Sequence, residues 1–240
     1  MEEETATEIP PDSTPLESVD IEMLETEGPI SVNNYAELQK AISGSTGDLY
    51  VCLEGDIIWV ENAGSTIEIQ VAANRKITID GQNQFKIDQN VKNNTSYNFR
   101  LQANAELTLK NMEIIGRTNY GIIWTRAAGA RGVFDHVDYD GPPPFYGEGY
   151  NSTMVIRGSN FNIQAGNGGT AEELIQGANV IFEGGRTTIT HAMSTNTNAV
   201  FYMIHGSSSS IKLTEGAEVT INTGNYVLYN ADINYTTLLM

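Results

Sequence analysis

Carboxylates and imidazoles are the groups most able to do chemistry here. Asp135, Asp138 and Asp140 form an Asp-x-x-Asp-x-Asp-Gly run closed by Gly141. Hard oxygen donors at such short spacing suit Ca²⁺, so these three are the candidate metal ligands. The run is not an EF-hand loop. Side chains alternate along a strand, so Asp138 and Asp140 share one side, and Asp135 joins them only if the backbone bends between. The other reading is three solvated turn carboxylates, with Asp135 and His136 capping a turn between strands. His191 and His205 are 14 residues apart with no carboxylate or cysteine motif beside them. They read as surface or ladder histidines rather than ligands. Cys52 is the single cysteine. It rules out an internal disulfide framework and a Cys-based zinc site, and it reads as a small core residue. No cofactor is expected; Ca²⁺ is the one ion left open.

Recognition calls for different groups. Aromatic residues concentrate between 97 and 150, namely Tyr97, Phe99, Tyr120, Trp124, Tyr139, Phe145, Tyr146 and Tyr150. Tyr and Trp offer a flat apolar face and a polar tip, on which sugar rings stack while Asn and Asp bond the hydroxyls. The run 141–151 carries Pro142-Pro143-Pro144 and several glycines, and it reads as a loop. Loops on a rigid scaffold commonly hold binding residues. The candidate ligand-binding set is therefore Tyr120, Trp124, Tyr139, Phe145, Tyr146 and Tyr150, forming a shallow groove with the 142–151 loop. The competing reading fills the core with half of them and has Phe145 and Tyr146 pin their loop. Phe99 and Phe134 are expected in the core.

Whatever positions these residues must be built from an acidic chain with few charges. It has 240 residues and a net charge of −17, with 13 basic and 30 acidic residues. A nucleic-acid partner needs a basic footprint, so it is excluded. Charged residues make up only 18%, below the usual quarter, while Asn, Thr, Ser and Gly abound, as in extracellular β-proteins. Residues 1–28 hold ten acidic residues and no basic one. This segment repels itself and is expected to be a disordered tail, leaving 29–240 as one mildly acidic domain. No apolar run approaches the ~20 residues that would span a bilayer, so membrane insertion is not expected. The chain starts Met1-Glu2-Glu3-Glu4, which lacks the basic and apolar regions of a signal peptide. Composition favours a secreted segment without its signal over a cytosolic protein.

The domain repeats. Short β-branched or aliphatic triplets centre on Val51, Thr78, Thr108, Phe134, Ile156, Ile181 and Lys212, at gaps of 27, 30, 26, 22, 25 and 31 residues. Repeats of 20–50 residues indicate a solenoid or a propeller. Each interval also holds further short alternating runs, giving two or three strands per period between Gly, Asn or Asp turns. Propeller blades need longer periods, and the regular leucine spacing of leucine-rich repeats is absent. The fold that fits is an all-β, right-handed parallel β-helix of roughly six to eight coils. An N-terminal helix from Tyr35 to Ile42, capped by Asn33 or Asn34 and ended by Gly44, would cover its first coil. Ala36, Leu38, Ala41 and Ile42 would form its apolar face. The apolar ending Leu238-Leu239-Met240 suggests that the natural protein continues.

Several stretches resemble one family. They are Tyr35-Ala36-Glu37-Leu38-Gln39-Lys40-Ala41-Ile42, Ile77-Thr78-Ile79-Asp80-Gly81, Leu107-Thr108-Leu109-Lys110-Asn111-Met112, Asn119-Tyr120-Gly121, Phe134 to Pro142, and Ala178-Asn179-Val180-Ile181-Phe182. Together they are similar to the pectate-lyase-like adhesive domains of Gram-positive bacterial surface proteins, over roughly residues 30–225. The resemblance implies a pectin-lyase-like β-helix, a place in the cell wall or at the cell surface, and adhesion. The expected function is a non-catalytic binding module, a monomer, whose partner is a polysaccharide or a host surface protein. The alternatives are a carbohydrate-active enzyme such as a Ca²⁺-dependent polyuronate lyase, or a structural spacer. Against the enzyme, Asn-Thr-Asp, Asp-Asp, Gly-His-Gly and Arg-Ile-Lys signatures are missing. Phe134-Asp135-His136 echoes the Ile-Asp-His of pectate lyases, but no Arg-x-Pro-x-x-Arg element follows. No catalytic residue is assigned.

Overall fold

The alternation of apolar and polar residues, repeated turn after turn, winds the chain into a parallel β-helix. The computed structural model describes residues 28–59, 67–90, 97–164, 173–191, 199–204, 209–224, 226–230 and 237–239. Nearly all of the acidic segment 1–28, and His205, lie outside them. Among the described residues, every strand pairing is parallel, in one sheet of 14 strands and one of seven. The larger sheet supplies two faces of each turn. Its first face stacks nine strands, from Ile30–Val32 through Lys76–Asp80 and Thr153–Arg157 to Thr237–Leu239. Its middle face runs from Ile57–Ile58 to Ala217–Thr223. The seven-stranded sheet, from Ile67–Val71 to Leu228–Asn230, is the closing face.

Each face contributes inward rows. Val51, Ile79, Leu109, Phe134, Ile156 and Phe182 stand in register on the first face, and all are buried. Ile57, Ile87, Ile114, Tyr139, Phe161 and Ile189 form the middle row. Ile69, Phe99, Ile123, Phe145, Ile175 and Phe201 form the closing row. The expected triplets all fall on the first face, but Phe134 aligns with Leu109 rather than Thr108. Phe145–Gly147 is a strand of the closing face and not part of a loop. Pro142–Pro144 favours extended backbone and so leads directly into it.

In two consecutive turns the corner between the first and middle faces takes one residue. The long strands Glu106–Ile115 and Arg131–Gly141 span both faces, and their register skips Asn111 and His136. Both adopt left-handed backbone, with φ of 53° and 54°, which Asn and His tolerate better than most residues. The turn read at Asp135-His136 is this corner. A second corner, between the closing and first faces, stacks Asn74, Asn104, Gly129 and Asn151, all with positive φ. Asn104 Nδ2 donates to Asn74 Oδ1 at 3.1 Å.

The helix spans Tyr35–Gly44. Asn34 Oδ1 accepts from the Glu37 amide at 3.0 Å, and Glu37 Oε2 accepts from the Asn33 amide at 2.8 Å, a reciprocal capping box. Its buried side is Tyr35, Leu38 and Ile42, the i, i+3, i+7 row. Ala36 is exposed, contrary to the sequence expectation. Tyr35 packs on Trp59 and Trp59 on Phe99, with ring centroids 5.1 and 5.3 Å apart. These contacts close the first turn. The buried Arg75 guanidinium caps the helix from the following turns, donating to the carbonyls of Ile42 and Gly47 and to Ser45 Oγ.

Outward positions on the first face alternate in charge. Asp80, Lys110, Asp135 and Arg157 stand in register, and Arg157 reaches Glu183 at 2.7 Å. Cys52 stands in this outward row between Ser31 and Asp80, half-buried, rather than pointing into the core. Burial alone would raise the Asp80 pKa. Hydrogen bonds from Tyr50 Oη at 2.6 Å, the Gln82 amide and Asn111 Nδ2, with Lys110 at 3.6 Å, outweigh it and hold the carboxyl below its usual range.

Two outcomes follow for stability. Arg75→Met leaves buried carbonyls unpaired and is expected to lower the unfolding free energy by about 2–3 kcal/mol, read as a lower urea midpoint at constant slope. Asp80 stabilises fully above its unfolded pKa of about 3.9 and loses this as pH falls through its lower folded value. The thermal advantage of the wild type over Asp80→Asn should therefore shrink below about pH 4.

Candidate functional site

Strand parity sorts the candidate aromatics into two groups. Phe145 and Tyr139 occupy inward rows and are buried. Phe145 fits because Gly132 and Gly147 have no Cβ to strike its ring. Tyr139 lies across Gly116, and its hydroxyl donates to the Pro142 carbonyl at 2.6 Å. Neither side chain faces a ligand, which corrects their placement in the binding set. Tyr150 is 57% exposed, but it sits at the corner leading to the first face.

Tyr120, Trp124 and Tyr146 do converge, outside the closing face. Tyr120 lies 6.1 Å from Trp124 and 5.4 Å, edge-on, from Tyr146. Trp124 is only 8% exposed because Arg100 and Arg126 lie over its ring, at 4.5 and 5.1 Å. It is the floor of the site, not an open platform. Tyr120, at 36% exposed, and the half-buried Tyr146 offer the accessible rings.

The register extends this group along the solenoid. Arg100, Trp124, Tyr146, Gln176, Tyr202 and Tyr229 pair rung by rung on the outside of the seven-stranded sheet. Tyr202 and Tyr229 stack at 4.8 Å with their planes 25° apart. Gln176 Nε2 donates to Tyr146 Oη at 3.0 Å, and Tyr146 donates to Glu148 Oε1 at 3.2 Å. Sequence reading missed Arg100, Gln176, Tyr202 and Tyr229. The available signal was one outward position per turn, hidden because the repeats were aligned on the first face.

The electrostatics of the strip are balanced locally. Arg100 pairs with Glu68 at 3.2 Å, and Arg126 pairs with Glu148. Burial, with Glu148 adding to it, pushes the Tyr146 hydroxyl up to about 12. Burial also raises Tyr202, with Tyr229 and Glu173 contributing. Both remain hydrogen-bond donors at neutral pH. Among the described residues, the Trp124 Nε1 and the Asn98 amide have no hydrogen-bond partner, and both are buried.

The acidic run divides at the His136 corner. All three aspartates point outward, but round that corner from one another. Asp135 Oδ1 lies 2.6 Å from His136 Nδ1, and Oδ2 lies 3.7 Å from Arg157. Asp138 and Asp140 are on the middle face, accepting from Asn160 at 2.8 Å, Asn162 at 3.1 Å and Gln164 at 2.8 Å. They line a shallow hollow of about 450 Å³ with Glu113, Thr188 and Thr190. Among the described residues, no three His, Cys, Asp or Glu side chains converge as a metal site. The three aspartates therefore do not form one ligand set. His191 is buried in a ladder, with Nδ1 3.0 Å from Thr223 Oγ1.

Parity predicts unequal costs. Phe145→Ala empties a core position and is expected to cost about 3–5 kcal/mol. Tyr150→Ala, on the surface, should change stability by no more than about 0.5 kcal/mol. Denaturant titration of the two variants tests the assignment.

Comparison with known proteins agrees with this architecture. The sequence model of a family described as a pectate lyase-like adhesive domain matches residues 30–140. No curated protein and no solved structure matches the chain. Among the described residues, no helix is long and apolar enough to cross a membrane.

Proposed function

We propose that this domain is a non-catalytic adhesion module of the cell surface. It holds an extended carbohydrate against the outer side of its closing face. One observation carries the reading: Tyr146, Gln176, Tyr202 and Tyr229 present a ring or an amide on each of four successive rungs. Aromatic faces take the apolar sides of sugar rings, and the phenols and the amide supply polar bonds to hydroxyls. The adhesive description of the family matching residues 30–140 suggests a surface or extracellular setting and an adhesin-like role.

Two of the carboxylates beside the rings are held in ion pairs, which favours binding over catalysis. Hydrolysis of a glycoside needs an acid and a second carboxylate across a cleft. Glu148 is engaged by Arg126 and Tyr146, and Glu68 by Arg100. Both serve to hold the strip in place.

A glycan and matrix-protein array, run with the wild type and Tyr146→Ala, tests the reading. The expected result is a glycan signal that falls roughly tenfold in the variant, or ~1.4 kcal/mol. Binding to a matrix protein alone, with no glycan signal, would exclude carbohydrate as the partner. Appearance of unsaturated product from pectin, with or without Ca²⁺, would replace adhesion by lyase chemistry.

A further inference from the structure

We infer that the strip selects a neutral, hydroxyl-rich chain over a polyuronate, and that it grips this chain at two tyrosine contacts two to three rungs apart. The inference rests on the carbohydrate reading above and specifies the ligand's charge and length.

Charge comes first. A polyuronate presents carboxylates, which need free cations or a bridging divalent ion. The two guanidiniums over the ring floor, Arg100 and Arg126, are already matched by Glu68 and Glu148 within the same sheet. An acidic polymer would have to take them from these partners, leaving two carboxylates facing it. The chain from residue 29 onward carries 20 acidic and 13 basic residues, so the longer-range field also repels an anion. The described residues gather no three acidic, histidine or cysteine groups to hold a bridging metal. A neutral chain needs none of these cations. It needs ring faces and hydrogen-bonding groups that can both donate and accept, which tyrosine and glutamine provide.

Length follows from the register. The first contact is Tyr120 against Tyr146, edge to face at 5.4 Å. The second is the Tyr202–Tyr229 stack, whose outer member is 45% exposed. Gln176 lies between them, paired with Tyr146 on one side and Tyr202 on the other. Strands stack ~4.8 Å apart, so Tyr146 and Tyr229 are about 14 Å apart along the axis. A chain running along the solenoid axis reaches both contacts in full; a single sugar reaches one. Joining two weak contacts through one chain raises affinity without any new contact type.

Titration calorimetry with neutral cello- and manno-oligosaccharides of increasing length, and with polygalacturonate with and without Ca²⁺, tests both parts. Affinity for a neutral series should climb with length and then level off. Tyr229→Ala should remove roughly tenfold of that gain, ~1.4 kcal/mol, and leave the shortest oligomers unchanged. Tyr146→Ala should weaken every length. Circular dichroism of both variants checks that the fold is retained. Polygalacturonate should show no binding. If it binds in a Tyr146-dependent way, the inference of neutrality fails while the carbohydrate reading stands. Equal loss at every length in Tyr229→Ala overturns the two-contact arrangement. Absence of binding to all these glycans overturns the carbohydrate reading itself.

Discussion

The structure depends on in-register parallel stacking. A single turn of this chain has no core of its own; its inward residues are buried only by the turns above and below. A row such as Val51, Ile79, Leu109 and Phe134 is therefore one continuous apolar column built from residues far apart in sequence. Aromatic contacts tie the columns across the interior, with Phe134 on Phe161 at 5.7 Å and Phe182 on Phe201 at 6.2 Å. A slip of one residue would turn an inward row outward. The corners resist this, because Asn111 and His136 each take up one residue in a conformation that their neighbours do not share.

The same constraint makes each outer face a regular lattice, and each face uses it differently. The first face alternates charge from rung to rung, from Asp80 to Arg157, and neutralises itself. The middle face sets aspartates beside amides and hydroxyls around a shallow hollow. The closing face collects the rings. An interaction that would be minor once is multiplied by the stack, which is why the proposed recognition surface is the closing face rather than the other two.

Much of this organisation was legible in the sequence, because it is local. Alternating triplets marked the first face, and a cap at Asn33 or Asn34 with the apolar Leu38 and Ile42 marked the helix. The Asp135-His136 turn was visible as polar residues between two apolar runs. What stayed hidden depends on register. Phe145 and Tyr146 are neighbours in sequence, yet one fills the core and the other faces outward. Only the pairing of Phe145 with Ile123 and Ile175 decides which. The proline run suggested a loop because its following strand is only Phe145–Gly147, too short to show periodicity alone. The distant tyrosines, Tyr202 and Tyr229, join the strip through pairings that no local pattern encodes.

The turns also differ in where they are free to vary. The passage from the first face to the middle face is held to a single bent residue in two consecutive turns. The passage from the middle face to the closing face ranges from 142–144 in one turn to 164–174 in another. The first-to-middle passage also lengthens elsewhere, to 81–85, but the widest passage borders the aromatic strip. A change of length at that rim moves no inward row, so the border of the strip can be altered while the register of the stack is kept.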